Sequence, residues 1–146
     1  IRDVLGSRGR GDVDKRQPYV AQATVGNWRD LVSKAEKAIA VDGPAFLNVM
    51  APCPRGWRID SSMTAEICRM AVNSKFWPLF EVENGKWKLT PVRDKNLIPV
   101  KDFLKPQGRF KHLFKPGNEA LLEEIQQDVD DFWAYLEGRV EGSKDL

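Results

Sequence analysis

Residues 18–50 read PYVAQATVGNWRDLVSKAEKAIAVDGPAFLNVM, and this stretch decides the fold. Residues 18–24 are a short β-prone run. Gly26 and Asn27 follow, with Asn27 suited to cap a helix. Trp28, Leu31, Val32, Ala35, Ala38 and Ile39 then recur at helical spacing on one face, the stripe a helix turns toward a core. Lys34 and Lys37 lie off that stripe, and Asp30 stands four residues before Lys34, the spacing of a helical ion pair. Asp42-Gly43-Pro44 ends the helix. Residues 45–50 (AFLNVM) are almost continuously apolar, as expected of a strand buried on both faces. Strand, helix, strand is one βαβ unit, which calls for a parallel sheet and an α/β fold. Two strands do not make a doubly wound sheet, so the remaining strands are expected from elsewhere.

Outward from this unit, residues 51–57 (APCPRGW) come at the carboxyl end of the second strand, where open α/β sheets hold their ligands. A helix is predicted from Ser61 or Ser62, with Met63, Ile67, Met70 and Ala71 inward. Residues 76–82 and 86–90 are two β-prone runs around Asn84-Gly85, a strong hairpin signal. Pro91, Pro99, Pro106 and Pro116 break residues 91–117 into irregular chain, with room for a short helix at 100–104. Asn118 opens a last helix carrying Leu121, Leu122, Ile125, Val129, Phe132, Trp133 and Leu136 on one side, and Gly138 is its expected end. Three regions result. Residues 1–17 are a charged loop or frayed end, 18–60 the βαβ part of a domain, and 61–146 a C-terminal extension of helix, hairpin, irregular segment and amphipathic helix.

Composition narrows the function. Of 146 residues, 42% are hydrophobic and 30% charged, the balance of a globular chain. The net charge of +2, from 23 basic and 21 acidic residues, lacks the basic excess of a nucleic-acid binder. No apolar run is long enough to span a bilayer, so no membrane role is expected. Two cysteines do not build a disulfide framework, and the expected compartment is the reducing cytoplasm.

Cys53 stands between two prolines in a loop just past a buried strand. A thiolate there suits iron, and Cys-Pro pairs recur at iron–sulfur sites. The other reading is a packed cysteine, because a free thiol behaves as a small hydrophobe. Cys68, on the predicted helix beside Ile67, reads as packing, and its spacing from Cys53 matches no metal motif. His112, the single histidine, has no nucleophile framed around it and reads as structural or interfacial. The Gly-rich residues 6–11 have no strand before them and do not make a phosphate loop. Arg10-Gly11-Asp12 within them reads as solvated loop. The acidic residues of the last helix, Glu123, Glu124, Asp128, Asp130 and Asp131, read as a solvated face.

Several blocks occur in one order. Gln17-Pro18-Tyr19-Val20-Ala21 is followed by Asp42-Gly43-Pro44, then by Ala51-Pro52-Cys53-Pro54-x-Gly56-Trp57. Trp77-Pro78-Leu79-Phe80-Glu81-x-Glu83-Asn84-Gly85-Lys86 comes next, and Gln107-Gly108-Arg109-Phe110-Lys111-His112-Leu113 after that. Over roughly residues 18–137 the chain resembles the C-terminal half of the β subunit of pyruvate:ferredoxin and related 2-oxoacid oxidoreductases. The resemblance implies part of a thiamine-diphosphate-binding parallel-sheet domain next to a 4Fe–4S cluster. It implies that Cys53 is the last ligand of that cluster, the other three lying upstream in the family. The family's Gly-Asp-Gly motif, which holds Mg²⁺ and the diphosphate, also lies upstream, so thiamine diphosphate and Mg²⁺ are expected to be bound mainly by residues outside this chain, which by itself is expected to be inactive. The implied reaction is oxidative decarboxylation of a 2-oxoacid, pyruvate above all, to acyl-CoA and CO₂, with electrons passing to ferredoxin. The implied partners are the other subunits, or a missing N-terminal half, with ferredoxin, coenzyme A and the 2-oxoacid. The alternative is a non-enzymatic interaction module in which Trp77, Trp87 and Trp133 meet a partner and Cys53 is merely buried.

Overall fold

In a computed structural model describing residues 18–145, four strands form one mixed sheet flanked by helices, an α/β fold. The expectations for residues 1–17, including Arg10-Gly11-Asp12 and the Gly-rich 6–11, lie outside the described residues.

The βαβ unit forms as its pattern predicts. Strand β1 (Tyr19–Thr24) pairs in parallel with β2 (Ala45–Met50), and helix α1 (Trp28–Ala40) connects them. The hairpin then joins the other edge of β1. Strand β3 (Phe80–Glu83) runs antiparallel to β1, and β4 (Lys86–Leu89) antiparallel to β3, giving the order β2-β1-β3-β4. The two turn residues, Asn84 (φ 50°) and Gly85 (φ 84°), both take the left-handed conformation that a two-residue hairpin needs. Trp77 and Pro78 fall before the strand, and the Trp77 indole donates instead to the Ala23 carbonyl at 2.9 Å.

The neighbours, not the apolar content, decide which strand is buried. β1 has a partner on each edge, and all six of its residues are buried. Its polar side chains are satisfied in place. The Gln22 amide donates to the Pro78 carbonyl at 2.8 Å and accepts from Asn48 at 2.9 Å, and the Thr24 hydroxyl donates to the Met50 carbonyl at 3.0 Å. The more apolar β2 was expected to be buried on both faces. It is the sheet edge, with Phe46 42% and Val49 39% exposed.

α1 is also rotated from its predicted facing. Trp28, Val32 and Ile39 look outward, Ile39 being 85% exposed, whereas Lys34 is buried. The Lys34 ammonium reaches the sheet, donating to the Gln22 carbonyl at 2.9 Å and to Asp30 at 2.8 Å, so the predicted Asp30–Lys34 pair forms on the inner side. Burial pulls the Lys34 ammonium below its ordinary value, although the Asp30 carboxylate opposes the shift. Beside it, Lys37 donates to Glu81 at 2.7 Å, which pins α1 over the sheet face carrying Ala21 and Glu81. Asn27 makes no capping bond, and its Oδ1 is the one buried side-chain polar atom without a partner among the described residues.

The main core lies under the extension. Helix α2 is the single turn Pro54–Trp57, and α3 (Thr64–Asn73) puts Ile67, Cys68 and Ala71 against Met50. The short helix α4 (Val100–Leu104) forms as expected, adding Val100, Phe103 and Leu104 to the same cluster. Fully buried side chains such as Ile67 and Phe103 each contribute about 1.5–3 kcal/mol of burial free energy. The last helix, α5 (Glu119–Gly142), buries Val129, Trp133 and Leu136, while Leu121 is exposed. It does not stop at Gly138. Arg139 lies 5.1 Å from the Trp87 ring, and the Ser143 hydroxyl accepts from the Trp87 amide at 2.9 Å, so contacts with β4 carry the helix onward. No helix among the described residues is long and apolar enough to cross a membrane.

Candidate functional site

The turn that follows β2 presents Cys53. Pro52 is buried and anchors the turn, whereas Cys53 is exposed with a free thiol. The chain then folds into α2, with Pro54 at its first position, where a missing N–H costs nothing. The Trp57 amide bonds the Cys53 carbonyl at 2.9 Å, and the Gly56 amide donates to the Cys53 sulfur at 3.5 Å. The sulfur therefore faces solvent with one backbone donor aimed at it. Such a thiol suits a soft metal, and N–H···S bonds of this kind tune clusters. Among the described residues no group of three or more Cys, His, Asp or Glu could hold a metal ion, so Cys53 could supply one ligand and not a complete set.

Other candidates lie apart from it. Cys68 is fully buried in the core, as a packing residue should be. His112 is exposed within a 3₁₀ segment, Gly108–Phe114, that the sequence left irregular, and its carbonyl accepts from Asn118 at 2.7 Å. Trp77, Trp87 and Trp133, the candidates for a partner contact, are engaged inside the chain. Trp87 stacks on Phe80 at 5.2 Å, and Trp133 donates to Glu137 and lies under the Lys75 ammonium. The exposed tryptophan is Trp28 on α1.

Sequence reasoning missed what the 3₁₀ segment does. It packs against the Cys53 turn. The Gly108 amide donates to the Arg58 carbonyl at 3.1 Å, and the Arg109 guanidinium lies 3.7 Å from the Trp57 ring centre. Burial pulls the Arg109 guanidinium below its ordinary value. The available signal was the block Gln107–Leu113 itself, but periodicity does not say which distant loop a segment meets.

No family model matches the chain. Curated proteins do. The chain is 41% identical over 128 residues to pyruvate synthase subunit PorB of Thermotoga maritima, covering 87% of this chain and 39% of that protein. It is 44% identical over 115 residues to PorB of Methanosarcina barkeri, covering 77% and 38%. It is 43% identical over 114 residues to ketoisovalerate oxidoreductase subunit VorB of Pyrococcus horikoshii, covering 77% and 37%. The chain thus spans less than two fifths of the length of these relatives. Identity above 40% over 77–87% of its residues makes this chain a member of the family of PorB and VorB subunits of 2-oxoacid oxidoreductases.

Proposed function

We propose that this chain is part of a ferredoxin-dependent 2-oxoacid oxidoreductase and that it supplies Cys53 as one ligand of a 4Fe–4S cluster. The observation that carries the reading is an exposed free thiol at the carboxyl end of a parallel strand, in a chain over 40% identical to subunits named for pyruvate synthesis and ketoisovalerate oxidation. Both names point to 2-oxoacids, so that substrate class is the one proposed, with pyruvate first. The reaction is oxidative decarboxylation. The carboxylate leaves as CO₂, the acyl group passes to coenzyme A, and the electrons released pass to ferredoxin.

This chain's own share is structural and electronic. The Cys53 thiolate is the ligand atom. Pro52 and Pro54 restrict the backbone on either side of it, and the Gly56 N–H points at the sulfur. A bound cluster supplies one-electron transfer, and bound thiamine diphosphate supplies the electron sink that lets the carboxylate depart. The sequence contains no Gly-Asp-Gly triplet, so thiamine diphosphate and Mg²⁺ are assigned to residues outside this chain. The open edge of β2 is assigned to the polypeptide that completes the subunit. The cytoplasm is the compartment that suits two free cysteines and an oxygen-labile centre.

The test is the iron content of the assembled complex. Cys53→Ser is expected to lose or destabilise the cluster while the far-UV circular dichroism is kept, because the side chain is exposed and a serine hydroxyl can still accept from the Gly56 amide. Iron content equal to the unsubstituted complex would sink the proposal.

A further inference from the structure

The Cys53 turn is fixed by residues about fifty positions away in the sequence. Arg58, just after α2, takes the left-handed conformation at φ 54°. Its carbonyl accepts from the Gly108 amide, and the two backbones touch. A Cβ on Gly108 would stand 2.7 Å from the Arg58 Cβ and 3.0 Å from the Arg58 oxygen, which no real side chain tolerates. Arg109 then lies across Trp57. Its guanidinium is 3.7 Å from that ring and 4.6 Å from Phe110, and its Nε donates to the Gln107 side chain at 3.0 Å. Gln107 is fully buried and donates in turn to the carbonyl of Phe103, a core residue, at 2.7 Å. An unbroken series of contacts therefore runs from the core to the turn that carries the thiol.

Packing alone does not require an arginine here. A half-buried guanidinium loses hydration, and Arg109 makes no ion pair with a carboxylate among the described residues. The ring faces offset part of that loss. An anionic group at the Cys53 turn would offset more, and a thiolate-ligated cluster is anionic.

Resting on the reading that Cys53 ligates a cluster, we propose that Gly108 and Arg109 are positioning residues for it. Gly108 sets the approach of the 3₁₀ segment to the turn. Arg109 clamps the turn through Trp57 and adds a fixed positive charge that makes the cluster easier to reduce. An arginine keeps its proton at any working pH, so the charge is constant.

The test uses the assembled oxidoreductase containing this chain, unsubstituted and with Arg109→Met, Arg109→Lys or Gly108→Ala. Iron content, the electron paramagnetic resonance spectrum of the reduced cluster, its midpoint potential and the thermal midpoint are measured together. Arg109→Met is expected to keep the thermal midpoint while the potential moves to lower values and the spectrum changes. Arg109→Lys restores most of the potential but not the spectrum, because the charge returns without the planar stack. Gly108→Ala loses iron. Should it fail to fold, the two Arg109 variants decide. If the unsubstituted complex holds its cluster and both Arg109 variants match it in potential and spectrum, the positioning role is overturned and the ligand role stands. A drop in thermal midpoint with no change in potential or spectrum also overturns it, since packing alone would do that. An unsubstituted complex without cluster iron removes the ligand reading and this inference with it.

Discussion

Glu81 shows how a single residue can hold four elements of this fold together. It is buried in β3, where its carboxylate accepts from the Tyr19 hydroxyl at 2.9 Å and from Lys37 of α1 at 2.7 Å, with Lys88 of β4 at 3.4 Å. Burial by itself raises a carboxyl pKa, but the hydrogen bonds from Lys37 and Tyr19 and the nearby positive charges outweigh it, and Glu81 stays below its ordinary value. Tyr19 moves the other way. Burial and the Glu81 carboxylate keep its phenol protonated far into the alkaline range. The sign for Glu81 follows from linkage. As pH falls, the unfolded chain takes up this proton first, at about pH 4. The Glu81 contribution is therefore fully present above that value and is lost as pH falls through the lower folded pKa. Urea unfolding measured from pH 7 to pH 3 should show Glu81→Gln with a flatter acid limb than the unsubstituted chain. At pH 7 the substitution should cost about 2 kcal/mol, less than for a fully buried pair because Lys37 and Lys88 still reach water. An unchanged acid limb would assign the acid sensitivity to other carboxylates. None of this was visible in the sequence, where Glu81 was one acidic residue of a β-prone run. For Cys53 the residues alone left two readings open, a ligand or a packed thiol; the exposure of the thiol excludes packing in this chain, and the ligand role proposed above rests on the resemblance. The contact of Arg109 with Trp57 was not legible at all, because periodicity does not say which distant residue a side chain meets.

At the scale of elements, the positions of most helices and strands were read correctly, whereas the Asn27 cap, the Gly138 stop and the mutual packing were not. The Asn84-Gly85 turn was legible because two consecutive left-handed residues leave few choices of side chain. Gly85→Ala should therefore lower stability by about 1 kcal/mol, seen as a lower urea midpoint with an unchanged slope. A midpoint equal to or above that of the unsubstituted chain would mean that the hairpin does not limit stability. That the hairpin would pair with β1 was not legible, since periodicity names the faces of a strand and not its neighbour. α1 fails in an instructive way. Its apolar stripe was real, but the helix is turned so that Trp28, Val32 and Ile39 face away from the sheet. The long Lys34 side chain can bury its stem and still deliver its ammonium to Asp30 and the Gln22 carbonyl, so the inner position went to a lysine. In α5 the glycine at 138 had no power to end a helix that Arg139 and Ser143 continue to dock on β4.

For the whole molecule, the misread facings of β2 and α1 are one fact. The outer edge of β2, with Phe46 and Val49, and the outward residues Trp28, Val32 and Ile39 of α1 belong to the same strand–helix pair. Positions 28, 32, 35 and 39 repeat at i, i+4, i+7 and i+11, the seam by which a helix packs on another helix. An apolar parallel edge strand is a template for further pairing, and an apolar helix stripe beside it adds to the attraction. Sequence patterning reported what these elements can bury, and the described residues simply do not cover it. This matches a chain that spans 37–40% of the length of its relatives, and the proposed occupant is the remaining part of such a subunit. Charge placed on the β2 edge and on the α1 stripe separates assembly from folding. Phe46→Glu with Ile39→Glu should change the unfolding free energy of the chain by no more than about 0.5 kcal/mol, as for surface sites. The same pair should reduce concentration-dependent self-association in sedimentation and weaken binding to the part of PorB from Thermotoga maritima that this chain does not match. A large fall in stability would show that these side chains are core residues of the chain. Unchanged self-association and unchanged binding would leave the β2 edge and the α1 stripe without a role in assembly.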